Sequence, residues 1–314
     1  MVETQMTETR AGGPSVLITG GSGLIGRYLT AVLLSEGYAI AHLSRNTNTS
    51  GKVRVFGWNP EKKIADPGMF EGVDYLIHLA GANIGDKPWT KRRKEEIVTS
   101  RVETARLLHK IVRENRITLK GFITASATGY YGSLTSERIF TEEDPPAEDF
   151  LGITCRLWEE GAELFADMGI RTVKIRTAVV LEKSDSALSK LMKPAKFGLV
   201  IRVGNGKQYF PWIHINDLCN IYLMALKDRN MSGAYNAVSP GHINHNDFVR
   251  TMAAVMDKPV FLPPFPAVLI RLIMGEMSDI VLKGSRISGE KIIRAGYSFR
   301  FDNLNAALND VILG

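Results

Sequence analysis

Only two cysteines occur in 314 residues, Cys155 and Cys219, and they lie far apart. That excludes a disulfide framework and points to free thiols in a reducing compartment, so the cytoplasm is the expected location. No apolar run approaches the roughly 18 residues of a membrane-spanning helix, and no membrane association is expected. Residues 1–14 are polar, carry Glu3, Glu8 and Arg10, and hold no apolar signal core; they read as a disordered lead-in. Internal repeats and low-complexity tracts are missing too. His242 and His245 stand without a convincing ligand set, so no metal is expected.

What remains is globular composition, 45% hydrophobic and 23% charged, in a length that suits one large or two coupled domains. The formal net charge is +6. Its densest basic run, Lys91-Arg92-Arg93-Lys94, is followed at once by Glu95-Glu96, which reads as a solvated helix face. No nucleic-acid motif accompanies it, so no nucleic-acid partner is expected. The basic balance also suits an anionic cofactor or substrate.

The most informative stretch is Val16-Leu17-Ile18-Thr19-Gly20-Gly21-Ser22-Gly23-Leu24-Ile25-Gly26. A short apolar strand stops at glycines, and helical apolar spacing follows from Leu24. Strand, glycine turn and helix in that order are the context of a dinucleotide fingerprint. Gly20 permits the tight turn, Gly23 lets backbone approach a pyrophosphate, and Gly26 lets helix and strand pack closely. Free amides at the helix start, with the positive end of its dipole, would hold the phosphates.

From Ser15 to Leu181, β-like runs alternate with helical patterns, which predicts a Rossmann-type doubly wound parallel sheet flanked by helices. Strands are expected over 16–19, 39–44, 53–58, 75–80, 121–126 and 172–181, and helices over 25–36, 91–113 and 156–168. After Leu181 the pattern changes. A helix is expected over 186–197, a turn at 203–206, a short apolar segment over 210–217, and a helix over 218–226. Pro263-Pro264-Phe265-Pro266 reads as a loop feeding an apolar helix over 267–274, and further helices fall within 287–313. The division expected is a nucleotide-binding domain over 15–181, with 210–235 returning to it, and a smaller C-terminal cap from 182–209 and 236–314.

The end of the second strand normally meets the adenosine ribose, where an acid would accept from its hydroxyls and repel a 2′-phosphate. Here the residues are Leu43-Ser44-Arg45-Asn46, with no acid. Arg45 can pair with a phosphate and Ser44 can add a hydrogen bond, so NADP(H) is expected over NAD(H).

These motifs resemble those of the extended short-chain dehydrogenase/reductase superfamily. Residues 19–26 match its first-strand motif, and His78-Leu79-Ala80-Gly81-Ala82 resembles the fourth-strand motif that lines the cofactor. Ser126-Ala127-Thr128-Gly129-Tyr130-Tyr131-Gly132 resembles the fifth-strand motif carrying the catalytic hydroxyl. Arg176 to Leu181 resembles the sixth strand, and Phe210 to Leu218 the segment returning from the cap. More narrowly, the chain is similar to an atypical epimerase-like subfamily, sometimes labelled a cell-division inhibitor, with its own C-terminal extension. Its marks are the stretch from Pro88-Trp89-Thr90 to Ser100-Arg101, the stretch Asp149-Phe150-Leu151 with Cys155 and Trp158-Glu159, and residues 286–301. The resemblance implies cofactor contacts from Gly20, Ser22, Gly23, Leu24, Ile25, Gly26, Ser44, Arg45, Leu79, Ala80, Gly81, Ser100, Ser126 and Val180.

The superfamily's chemistry rests on a tyrosine and a lysine one helical turn apart, whose ammonium lowers the tyrosine pKa. Aligning Glu159 with the glutamate that commonly follows the lysine puts Leu151 and Cys155 at those positions; a shift by one puts Gly152 and Arg156 there. Neither register restores the pair. Counting back from Tyr131-Gly132 puts Ala127 at the usual hydroxyl position, so Ser126 would reach the nicotinamide only if the strand end is bulged. Tyr130, with Ser126, is the candidate nonstandard proton donor, against a packing role for Tyr130 and Tyr131. His214 and Cys155 read as structural, Asp217 as a cap of the helix near Leu218, and Arg101 and Trp89 as rim candidates. The expected function is an NADP(H)-dependent oxidoreductase or epimerase on a small polar substrate, as a monomer or homodimer. The alternative is a catalytically silent NADP(H)-binding regulatory or partner-binding protein.

Overall fold

The computed structural model describes residues 13–47, 53–184, 188, 192 and 200–314. The sequence expectations for most of the lead-in and of the helix over 186–197 lie outside the described residues.

Apolar runs pair into one eight-stranded sheet in the order β12-β8-β6-β5-β1-β2-β3-β4. Its strands are β1 (Ser15–Thr19), β2 (Ala39–Ser44), β3 (Arg54–Asn59), β4 (Ile64–Ala65), β5 (Tyr75–His78), β6 (Gly121–Ala127), β8 (Thr172–Thr177) and β12 (Gly233–Ala237). All neighbouring pairs are parallel except the β3–β4 edge. The order runs outward in both directions from β1 and β5. That is the switch point at whose carboxyl edge open α/β sheets bind ligands.

Helices cover both faces. α1 (Leu24–Ser35) and α4 (Ile215–Lys227) pack together on one side, and α2 (Lys91–Glu114) and α3 (Phe150–Ala166) on the other. Val16, Ile18, Ile77, Ile123 and Ile175 alternate toward the first layer, and Leu17, Leu76 and Phe122 toward the second, as a period of two requires. This is the doubly wound α/β fold that the alternating pattern implies.

Three boundaries differ from the sequence reading. α3 starts six residues earlier than the helix expected from 156, because Asp149 caps it by accepting the Gly152 amide at 2.9 Å. The run over 172–181 breaks at Ala178, and β9 (Val179–Leu181) leaves the main sheet to pair with β11 (Trp212–His214). α4 then starts at Ile215, three residues before the expected 218, with His214 as its cap.

The smaller C-terminal domain gathers α5 (His245–Val255), α6 (Ala267–Met274), α7 (Asp279–Leu282), α8 (Glu290–Arg294), α9 (Leu304–Leu313) and a parallel pair, β10 (Val200–Val203) with β13 (Val260–Phe265). The Pro263-Pro264 stretch is therefore strand rather than loop. A two-stranded pair leaves each strand an open edge, where a missing amide costs no ladder bond. The domain has its own core, including Leu181, Trp212, Phe248, Met252, Leu304 and Leu308. β7 (Ile139–Phe140) pairs with β14 (Arg286–Ile287) and ties this extension back to the first domain. Among the described residues no helix is long and apolar enough to cross a membrane, and no three His, Cys, Asp or Glu side chains gather as a metal site.

Candidate functional site

The turn after β1 is shaped by steric exclusion. Gly20 has φ +71°, and a Cβ there would lie 2.9 Å from the Ala80 amide nitrogen. A Cβ on Gly26 would come within 2.4 Å of the Gly20 carbonyl, so α1 sits directly on the turn. Only glycine allows both approaches. Gly23 is the N-cap of α1, and no side chain caps the helix. The first-turn amides of a helix have no intrahelical acceptor, and here Ser22 and Gly23 are exposed at the sheet's carboxyl edge. The Gly23 amide closes the turn on the Gly20 carbonyl at 3.0 Å, and the amides that follow open α1.

Thr19 joins this turn to the loop after β5, a role not read from the sequence. Its Oγ1 accepts the Leu79 and Ala80 amides, each at 3.2 Å, and donates to His78 Nδ1 at 2.7 Å. His78 Nε2 then donates to Thr104 Oγ1 at 3.1 Å, which fixes a neutral imidazole by the pattern of donors and acceptors. Complete burial pushes the His78 pKa down to about 4. The unfolded chain binds this proton more readily, so stability is expected to fall as pH drops from the ordinary histidine value toward the folded one. The full loss from His78 is about 3 kcal/mol. Urea midpoints between about pH 7 and pH 4 measure it; a His78→Gln variant with the same pH slope as wild type overturns the assignment.

The loop after Gly81 is fastened from α2. Ser100 Oγ accepts the Ala82 amide at 2.9 Å and donates to the Ile97 carbonyl at 3.1 Å. Arg101 donates to the carbonyls of Ala82 and Ile97 at 3.0 and 2.9 Å and stacks 4.8 Å from the Trp158 ring. Burial lowers its pKa to about 10, so it stays charged. Arg93, read from the sequence as part of a solvated face, is buried and bonds the Asn83 carbonyl and Glu96. Trp89 bonds the Ile84 carbonyl and meets the Phe150 ring edge-on at 4.8 Å, forming an aromatic wall beside the start of α3.

Arg45 follows β2, is exposed, and forms no ion pair with any described residue. Ser44 Oγ accepts the Asn46 amide at 3.2 Å. Val180 sits half-buried in β9, paired with Ile213.

The strand-end bulge on which Ser126 depends is absent: β6 pairs in register with β8 through Ala127. Ser126 is buried and donates to Glu159 Oε1 at 2.7 Å. Glu159 also takes both sides of the Arg176 guanidinium, Nε at 2.8 Å and Nη2 at 2.9 Å. Arg176 Nη1 donates to the Tyr131 hydroxyl at 3.0 Å, which donates to Asn236 Oδ1 at 2.7 Å; Asn236 reaches the Ser288 carbonyl. A polar chain thus runs from α3 through the sheet to the C-terminal extension. Lys174 and Arg176, two charges on one face of an apolar strand, were the signal for it, since buried charges need partners.

Tyr130 packs its ring face against Arg176, whose guanidinium carbon is 3.4 Å from the ring centroid. Desolvation raises its pKa against the opposing pull of Arg176, so the phenol carries its proton at neutral pH. α3 turns Leu151 and Cys155 toward the end of β6: Leu151 Cβ and Cys155 Sγ lie 3.4 and 3.7 Å from where a Cβ on Gly129 would be. Gly152 is packed on the Ala147 carbonyl instead, and Arg156 is exposed and paired with Glu160. Cys155 is buried, with its thiol pushed up to about 12 by desolvation, and Cys219 behaves alike.

Two other residues are structural. His214 Nδ1 accepts the Asn216 amide at 3.2 Å, and Nε2 faces Asp310 at 3.2 Å. Asp217 does not cap its helix; it accepts the Arg300 and Phe301 amides at 2.9 and 3.0 Å and the Tyr297 hydroxyl at 2.7 Å, stapling the extension. Beyond the carboxyl end of β12 a narrow cleft lies against the smaller domain, lined by Tyr209, Phe210, Val238, His242 and Arg286. Arg286 there pairs with Glu137 at 2.7 Å.

Sheet order, glycine turn and C-terminal domain define a Rossmann-type α/β protein of the short-chain dehydrogenase/reductase kind. The profile of the NAD dependent epimerase/dehydratase family matches residues 16–238, and that of a domain of unknown function, DUF1731, matches residues 265–311. The chain belongs to this epimerase/dehydratase family. It is 33% identical over 306 residues to the Epimerase family protein YfhF of Bacillus subtilis, covering 95% of this chain and 98% of that one. The crystal structure of human epimerase family protein SDR39U1 (isoform2) with NADPH superposes with a TM-score of 0.84 at 30% identity, covering 95% of this chain and 98% of that one. A nucleoside-diphosphate sugar epimerase from Corynebacterium glutamicum gives a TM-score of 0.76 at 31% identity, covering 96% of this chain but 59% of that one.

Proposed function

We propose that this chain binds NADP(H) across the carboxyl edge at the β1/β5 switch and carries out oxidoreductase or epimerase chemistry on a small polar substrate. The observation that carries the reading is the backbone patch at the uncapped start of α1, held against the turn by Gly26 beside the Thr19-pinned loop. Such a patch suits a diphosphate. Gly20, Ser22, Gly23, Leu24 and Ile25 would hold it, with Leu79, Ala80 and Gly81 lining the next strand end and Val180 beneath the nicotinamide. Ser44 and Arg45 would meet the adenosine ribose, and the Arg45 guanidinium, which forms no ion pair with any described residue, suits a 2′-phosphate. That the human relative was crystallised with NADPH supports the same nucleotide here. Ser100 serves by bracing the Ala82 loop rather than by reaching outward.

The bound nucleotide would supply the hydride. The protein must position the substrate and supply a proton, and Tyr130 is the group with a proton to give. Ser126, committed to Glu159, acts from beneath by fixing Arg176 under the Tyr130 ring. A protonated phenol favours donation to a carbonyl over abstraction from an alcohol.

Calorimetry with NADPH and NADH, followed by an NADPH-oxidation screen over carbonyl substrates, tests the reading. Wild type is expected to prefer NADPH, and Arg45→Asp to weaken NADPH about 10- to 100-fold by loss of a charge-assisted contact, leaving NADH little changed. Equal affinities for the two nucleotides in wild type sink the NADP(H) assignment. The second reading, a silent NADP(H)-binding regulatory protein, is favoured by Leu151 and Cys155 facing the strand end where a proton relay would stand. It predicts tight NADPH binding with no substrate-dependent oxidation. It also requires partner capture that differs between NADPH, NADP+ and no nucleotide.

A further inference from the structure

The opposite edge of the sheet, where strands begin, carries an open cavity of about 350 Å³ lined by Tyr75, Lys120, Arg171 and Arg229. Each lining residue comes from the entry to a different strand, β5, β6, β8 and β12, four neighbours in the sheet. We propose that this cavity is a second anion site, one that takes the phosphate group of a small phosphate monoester.

Three cations line the cavity, and only one is neutralised by a full ion pair: Lys120 meets Asp74 at 2.8 Å. Arg171 donates Nη1 to the Met231 carbonyl at 3.1 Å, and its Nη2 is buried with no acceptor among the described residues. Arg229 is exposed and forms no ion pair with any described residue. Burial is the largest influence on Arg171 and lowers its pKa; Tyr75 and then Asp228 pull it upward, and Arg229 pushes it down. An anion between the two guanidiniums would relieve the repulsion that Arg229 exerts on Arg171. A guanidinium fork suits phosphate geometry, and the volume is at the lower end of small-ligand sites.

The geometry separates this site from the glycine turn by the full length of the strands, so the two can be tested apart. The full chain is titrated calorimetrically at low ionic strength with inorganic phosphate and with glucose 6-phosphate. One saturable phosphate site is expected, weakened about tenfold or more by Arg229→Gln, an exposed change that leaves the fold intact, and by Arg171→Gln. NADPH binding is expected to stay as in wild type in Arg229→Gln. Tighter binding of glucose 6-phosphate than of phosphate supports the monoester; equal affinity supports the phosphate subsite and overturns the ester. Absence of saturable binding overturns the proposal. So does binding that Arg229→Gln leaves unchanged while Gly26→Val removes it, which places the anion at the glycine turn.

Discussion

Replacing Glu159 with alanine is expected to destabilise the protein by about 3–5 kcal/mol, because it strands a charge inside the fold. Arg176 is 3% exposed and Glu159 6%. The carboxylate takes two guanidinium bonds and the Ser126 hydroxyl, so its removal unpairs one cation and one hydroxyl together. Burial acts to lower the Arg176 pKa, and Glu159 outweighs it, holding the net shift upward. Arg176 therefore cannot escape by losing its proton. Equilibrium urea unfolding at neutral pH measures the loss, and a change under about 1 kcal/mol overturns the account. Glu159→Gln keeps shape and one acceptor and should lose less. The double variant Glu159→Leu/Arg176→Met, which removes both charges, should be more stable than Glu159→Ala, because desolvating the pair is itself costly.

Tyr130→Phe is expected to lower NADPH-dependent turnover by about 10²- to 10⁴-fold, the usual contribution of a positioned proton donor. NADPH affinity should be unchanged, because the substitution removes one hydroxyl and keeps the ring against Arg176. Since desolvation raises the Tyr130 pKa, wild-type carbonyl reduction should hold its rate from neutral pH up to the ordinary tyrosine range and fall only above it. The steady-state pH profile checks this. A Tyr130→Phe rate within a few fold of wild type removes Tyr130 from the mechanism. Unlike Glu159→Ala, this substitution keeps the ring against Arg176, so a folded but slow enzyme separates proton donation from packing.

The residues missed in the sequence share one property: their roles depend on contacts far along the chain. Ser126 and Glu159 are 33 residues apart, and Tyr131 and Asn236 105 apart. β12, Gly-Ala-Tyr-Asn-Ala, lacks the branched apolar run that marks a strand. It forms because β8 offers a parallel edge and Asn236 finds Tyr131, the Ser288 carbonyl and Glu142. The choice between the two registers of α3 depended on Gly129, which leaves room for Leu151 and Cys155.

By itself the sequence determined the alternating strands and helices, the glycine turn after β1 and the missing acid after β2, because each is written in local spacing and in conformations only glycine allows. Tertiary structure alone decided that Ser126 turns inward, that Asp217 staples the C-terminal extension, and that four strand entries bring Tyr75, Lys120, Arg171 and Arg229 around one cavity. Partners chosen by sheet order have no signature in sequence distance, and sheet order is set by how all the apolar faces bury together.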